Sequence, residues 1–419
     1  MEILSAGEKI KRTRIYKGLT LKDICGDKIS VSKMSCIENN KVEPEDWILE
    51  IIVDKLGLDM EYLKYSVRDQ IVENIARFTS SDRISLDDVL RNVDYSEKYE
   101  YHDLTCKLFE ILFEYYLNHG MTSELSTTIP RYYNACQKSK DEKLHTTYYI
   151  YIAKYLYANR EFSQAGSYIA AVRRKLIELG MNKSNEYIRA TYNQVVVYIQ
   201  CGDIEKAKEN AKEFEEILSF NKDEFVNAEI YKLLTIIEVY SKGENINKYM
   251  EEALKRYNNM EDKKAAAYFD IGEALIKNEN KEDGICYIKK ALVDYPRSNR
   301  DLLCEFLING IEILIQCEQY DVALQHTEEV LNISIEMNLV PGMDKAYYYK
   351  SVILEKQKNY VMAESYIMLS LDALLKHGNK IDIYKRYMKI GKMYHEMGEV
   401  KDAIRYFDLA FKVDKSIVK

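Results

Sequence analysis

Proline and glycine are scarce, at four and 16 in 419 residues. A fold built from strands needs turn residues often, so the scarcity excludes an all-β chain and leaves long helices joined by short turns. There is no run of 18 apolar residues, and therefore no candidate membrane span. The opening MEILSAGEKIKRTR lacks the apolar stretch and small-residue cleavage site of a signal peptide, so none is expected. Cysteine occurs eight times, at 25, 36, 106, 136, 201, 286, 304 and 317, but never as C-x-x-C. That spacing supports neither a zinc site nor a disulfide framework and fits a reducing, cytoplasmic location. Catalytic motifs are missing as well. His102, His119, His145, His326, His377 and His395 show no H-E-x-x-H or H-x-E spacing, and no Walker loop, G-x-S-x-G or dinucleotide fingerprint occurs. Neither an enzyme nor a metal or other cofactor is expected.

What is present is apolar substance and charge. With 47% hydrophobic and 31% charged residues, the chain can bury a large core and stay in solution, and its length suits two or three domains. The net charge of −8 is uneven: residues 1–42 hold nine Lys/Arg against five Asp/Glu, a net +4, so the other 377 residues carry −12. A small basic head on a large acidic body points to an anionic partner for the head, although an excess of +4 is also within chance.

Within the head, Ile10 begins an apolar face while Lys11, Arg12 and Arg14 decorate the other side, and Gly18 breaks the pattern. Thr20 is a good N-cap, with Asp23 completing a capping box for a short helix, LKDIC. Gly26 and Asp27 interrupt, and Ser30 caps a third helix in SVSKMSCIENNKVEP that ends near Asn39 and Asn40. Pro44 opens a further helix with Trp47, Ile48, Ile51, Ile52 and Leu56 on one face. The third helix has only Met34 and Ile37 as an apolar stripe, which suffices to hold it down while its other face stays open. Five short helices in about 60 residues, the second and third nearly abutting, is helix-turn-helix architecture.

These residues resemble the helix-turn-helix of Xre/Cro-type repressors. Arg14, Gly18-Leu19-Thr20, and Ser35-Cys36-Ile37-Glu38-Asn39-Asn40-Lys41 followed by Pro44 stand at the family's places, with Asn40 where a glycine is usual and Cys36 where a longer polar residue is common. The resemblance implies that Val31, Ser32, Lys33 and Cys36 face base edges and that Thr20 and Asn39 contact phosphate, with Lys11 and Arg14 adding backbone charge neutralisation. The alternative is that Val31 and Cys36 merely pack and the head meets protein instead.

From about residue 66 the pattern changes to long helices with an internal repeat. A polar turn, an apolar or aromatic residue, and a small residue three further on recur at Ala165, Ala207, Gly284, Ala323, Ala363 and Ala403, with a degenerate copy at Tyr249. Ala153, Val195, Gly272, Ser351 and Gly391 stand twelve earlier in the preceding helices. Small residues recur where two helices cross closely. The pattern resembles the tetratricopeptide repeat, most fully in YMKIGKMYHEMGEVKDAIRYFDLAFKV, and implies a superhelix whose first helices line a concave face. Asn193 and Asn309, with Gln200 and Gln316 seven residues on, lie near that face, where an Asn amide can pair with a peptide's backbone. An exposed or inter-repeat role for each Asn is the competing reading.

The expected fold is therefore all-α: a five-helix Xre-type head at 1–66, a helical linker at 67–98, and a right-handed tetratricopeptide-like superhelix at 99–419. The joint is expected to be helical to about Phe78 and to break at Thr79-Ser80-Ser81. A head and body of these kinds together resemble the peptide-sensing regulators of Gram-positive bacteria called Rap/Rgg/NprR/PlcR/PrgX, with the phage arbitrium receptors as relatives. That resemblance implies a cytoplasmic homodimer on a palindromic double-stranded DNA operator, switched by a short signalling oligopeptide. The other reading is an adaptor whose groove binds a protein partner, with DNA binding secondary.

Overall fold

The structure, a computed structural model, describes residues 3–80 and 84–417, without the side chains of 415–417. Every element among them is an α-helix, and no strand is present among the described residues. The head holds α1 (Ala6–Tyr16), α2 (Leu21–Cys25), α3 (Val31–Glu38), α4 (Asp46–Leu56) and α5 (Met60–Lys64). Then come α6 (Val67–Ser80), α7 (Leu86–Lys98), α8 (His102–Asn118), α9 (Thr122–Ser139), α10 (Glu142–Ala158), α11 (Phe162–Glu178) and α12 (Asn185–Gln200). The second half holds α13 (Ile204–Ala211), α14 (Glu213–Phe220), α15 (Glu224–Ser241), α16 (Ile246–Tyr257), α17 (Glu261–Lys277) and α18 (Lys281–Asp294). It ends with α19 (Arg300–Gln316), α20 (Tyr320–Glu336), α21 (Val340–Lys356), α22 (Tyr360–His377), α23 (Lys380–Glu396) and α24 (Val400–Ile417). The chain forms two compact units, Met1–Asp203 and Ile204–Lys419.

In the first unit the head folds as its local signals dictate. The Thr20 and Asp23 side chains cap α2 reciprocally, and the Ser30 hydroxyl accepts from the Lys33 amide to start α3. Asn40 ends that helix in the left-handed region, at φ 54°, a conformation asparagine tolerates better than most residues. Ile10, Ile24, Met34, Ile37, Ile48, Ile52 and Leu56 form the head's core. The expected apolar face of the fourth helix needs one correction. Ile48, Leu49, Ile52 and Leu56 are its buried stripe, Ile51 is half-buried, and Trp47 is 42% exposed. At 100° per residue Trp47 falls off the edge of that stripe.

The head is fastened to the helices that follow it. The Gln70 side-chain amide donates to the Leu4 carbonyl (2.8 Å) and accepts from the Leu4 N–H (3.0 Å), while Ile3 is buried with Val67 and Ile71. Lys9, 2% exposed, donates to the carbonyls of Tyr62 (2.7 Å) and Tyr65 (2.6 Å), satisfying groups at the end of α5. Burial lowers the Lys9 pKa, and this cation is unavailable to any partner outside. Arg68 pairs with Asp103 through both terminal guanidinium nitrogens, tying α6 to α8. The joint is helical as expected but runs through Ser80; Ser81 lies outside the described residues.

One carboxylate in this unit opposes its own burial. Glu110 on α8 is within electrostatic reach of Cys106 and Tyr132, and burial pushes its pKa up to about 6. A carboxyl raised above its unfolded value leaves the folded state proton-rich, so stability falls as pH climbs from about 4.5 to 6 and stays lower above it. Glu110→Gln is expected to stabilise this unit by about 1–2 kcal/mol at neutral pH, the equivalent of the shift. The gain should vanish in denaturant titrations at pH 4.5; a gain of equal size at both values would point to packing instead of charge.

The array is a series of helix pairs in both units. The small residues expected at crossings, Ala165, Ala207, Gly284, Ala323, Ala363 and Ala403, are all buried, each the fourth residue of its helix. A Cβ on Gly272 would lie 2.9 Å from the Gly284 carbonyl oxygen, and one on Gly284 would lie 2.7 Å from that of Gly272. The pairs α6/α7 and α8/α9 escape the repeat pattern because Val89 and Leu125 occupy that fourth position. The helix expected after Ala207 is interrupted at Lys212 into α13 and α14.

Candidate functional site

The head's open surface is built on α3. Met34 and Ile37 are fully buried beneath it, while Val31 (39% exposed), Ser32 and Asn39 are exposed and Cys36 is half-buried. Helix α1 closes on the far end of α3 so tightly that a Cβ on Gly7 would lie 2.2 Å from the Ile37 carbonyl oxygen. Lys11 and Asn39 are brought together, the ammonium donating to the Asn39 side-chain oxygen at 3.3 Å. Thr20 is exposed at the start of α2, its hydroxyl engaged by Asp23.

Two of the residues assigned to DNA have other attachments. Arg14 donates to both oxygens of Glu38 (2.6 and 2.9 Å) and to the Leu19 carbonyl (3.0 Å), and Glu38 is nearly sealed from solvent. Arg14 thus holds α1, the turn before α2 and the end of α3 as one block. Lys33 pairs with Glu45 at 2.9 Å and sits 5.5 Å from the Trp47 ring centroid. Bonds from Lys33 and from the Trp47 indole N–H hold the Glu45 carboxyl below its usual range. The half-buried Lys33 and the exposed Glu45 and Trp47 are therefore one cluster at the edge of the reading face.

In the first unit, Asn193 and Gln200 are both exposed on α12, and the neighbouring Gln194 is buried. In the second unit a cavity of about 390 Å³ opens between the first helices of three successive pairs. Glu312, Ile315 and Gln316 of α19, Asp344, Lys345, Tyr348, Tyr349 and Val352 of α21, Leu374 of α22, and Asp382, Lys385 and Arg386 of α23 line it. Gln316 thus stands in its wall. Asn309 is exposed on the same face of α19, two turns and about 10 Å from Gln316 along the axis, and is not among the lining residues.

The floor of the cavity is a buried ion pair. Arg386 donates to Asp344 at 2.8 Å, and the Ser370 hydroxyl donates to the same carboxylate oxygen at 2.6 Å. The guanidinium carbon lies 4.2 Å from the Tyr348 ring centroid. Burial pulls the Arg386 pKa down against the attraction of Asp344. Tyr349 donates to Glu312 at 3.3 Å, and burial raises its pKa. Sequence reasoning missed Arg386, Asp344 and Glu45. The first two stand 42 residues apart, near the repeat spacing, which is the signal that could have linked them.

No group of three or more His, Cys, Asp or Glu that could hold a metal occurs among the described residues. No helix among them is long and apolar enough to cross a membrane.

No protein-family model matches the chain, and no curated protein matches it. Solved structures do, and they include peptide-sensing helical-repeat regulators of the kind the sequence resembles. Aspartyl phosphate phosphatase F from Bacillus subtilis is 14% identical, with 99% of this chain and 96% of that one covered, at a TM-score of 0.45. A Rap protein complexed with competence and sporulation factor is 11% identical, over 98% and 99%, at 0.44. Bacillus thuringiensis PlcR, in complex with the peptide PapR7 and DNA, is 14% identical, over 93% and 98%, at 0.28.

Proposed function

We propose that the chain is a cytoplasmic DNA-binding regulator, active as a homodimer, whose operator binding changes when a short oligopeptide enters the groove of its helical array. The observation that carries the reading is α3. It is a helix pinned from below by Met34 and Ile37 and at its end by the Arg14–Glu38 pair, with Val31, Ser32 and Asn39 turned to solvent. A helix held so firmly with an open polar face is suited to a major groove. Val31, Ser32, Lys33 and Cys36 then meet base edges, and Lys11, Thr20 and Asn39 meet phosphate. One head spans only a half-site, so two are needed on a palindrome, about 34 Å apart or a multiple of that. Arg14 acts by positioning α3. Asn193 and Gln200 on α12, and Asn309 and Gln316 on α19, are offered as peptide contacts on first helices of their pairs.

The adaptor reading draws on the Lys33–Glu45 cluster, since Glu45 neutralises the one cation on the reading helix. One experiment separates the two. Duplexes selected from a randomised pool by the full-length protein should bind in a sequence-specific, salt-sensitive way. Lys33→Ala should then lower the ratio of selected to scrambled affinity, while Glu45→Gln should raise affinity for both by removing an acid that faces the phosphates. Failure to enrich any sequence would leave the adaptor standing.

A further inference from the structure

We infer that the cavity between α19, α21 and α23 is a carboxylate subsite, in which Arg386 grips a carboxylate of an extended peptide; this rests on the peptide-binding reading above.

The charges on the cavity wall are three of each sign, but they are not equivalently engaged. Each acid has a partner within the protein. Asp344 accepts from Arg386 and Ser370, Glu312 accepts from Tyr349, and Asp382 accepts from the Asn379 amide at 2.9 Å. The cations are different. Lys345 and Lys385 are exposed and have no ion-pair or hydrogen-bond partner among the described residues. Arg386 is 7% exposed, yet of its five N–H donors only those of Nη1 meet an acceptor, Asp344, among the described residues. Its Nε and Nη2 donors remain, a planar fork whose spacing suits the two oxygens of a carboxylate.

Position and size agree with this. Asp344, Ser370 and the Tyr348 ring fix the guanidinium before any ligand arrives, so little side-chain entropy is lost on binding. A volume of about 390 Å³ is at the small end of ligand pockets, enough for one end or a few side chains of a peptide and too small for a helix of a folded partner. Lys345 and Lys385 at the rim attract an anion toward the buried fork. Gln316 supplies an amide beside it for a backbone group.

A carboxylate can come from the peptide's C-terminus or from an Asp or Glu side chain, and the probes distinguish them. Three N-acetylated hexapeptide libraries are offered to the full-length protein and the retained members identified by mass spectrometry. The first has no acidic residue and a free C-terminus, the second is the same with a C-terminal amide, and the third is amidated with one Asp at each position in turn. Enrichment of the first or the third at least tenfold over the second is expected, naming a terminal or a side-chain carboxylate respectively. The Asp344→Leu, Arg386→Met double variant, which replaces the pair by apolar groups, should abolish that preference. Enrichment of the second library equal to the others would overturn the carboxylate subsite and leave peptide binding intact. Enrichment of none would overturn both readings.

Discussion

Arg14→Ala is expected to destabilise the head by about 3 kcal/mol, the low end of what breaking a buried ion pair costs. The Arg14 side chain is 16% exposed and that of Glu38 only 3%, so the alanine leaves Glu38 charged, desolvated and unpaired. The Leu19 carbonyl loses its donor in the same step. Arg14→Lys should recover little, because an ammonium cannot bond both carboxylate oxygens in the same plane. The chain has a single tryptophan, Trp47, and it lies in the head, so its fluorescence in a urea titration reports this part of the protein alone. The midpoint should fall for Arg14→Ala and for Glu38→Ala by similar amounts, and the double variant should cost far less than their sum. Lys11→Ala, which touches only the exposed Asn39, should leave the midpoint in place. An unmoved midpoint for Arg14→Ala would make Arg14 a surface cation after all, available to phosphate as the Xre resemblance implies.

What the sequence disclosed and what it hid divide by distance along the chain. The Thr20 and Asp23 box, the Ser30 cap and the left-handed Asn40 act within three or four residues, so spacing alone reveals them. The crossings at Ala165, Gly284, Ala323 and Ala403 are visible because repetition multiplies a weak signal. Where Val89 and Leu125 fill the same position, the signal vanishes though the helix pair remains. Partners far apart leave no such trace. Arg14 meets Glu38 over 24 residues and Lys33 meets Glu45 over 12, and each reads in isolation as a cation ready for DNA. The cavity is hidden for the same reason. Of its wall, only Gln316 was expected to meet a peptide, through its spacing from Asn309, while nothing local in the sequence marks the buried Arg386 as different from the other basic residues of its helix.

Asp344→Ala is expected to be the most damaging single change in the second unit. It removes the partner of a guanidinium that is 7% exposed and the shorter of two bonds from the buried Ser370 hydroxyl, which keeps only the backbone carbonyl of residue 344 at 3.1 Å. Removing one member of a buried pair typically costs about 3–5 kcal/mol, because the surviving charge cannot be hydrated. Arg386→Ala leaves Asp344 with the Ser370 hydroxyl still donating, so its cost should be the smaller of the two. Replacing both, as Asp344→Leu with Arg386→Met, should return stability to near that of the starting protein, since apolar side chains of similar volume often replace a buried ion pair without loss. Denaturant titrations followed by far-ultraviolet circular dichroism measure the three variants. The double variant then separates two reasons for keeping the pair. If Arg386 only joins α21 to α23, the doubly substituted protein should fold and keep its peptide response. If it grips a carboxylate, the protein should fold and lose that response. A double variant no more stable than Asp344→Ala would show that the site cannot repack without its charges.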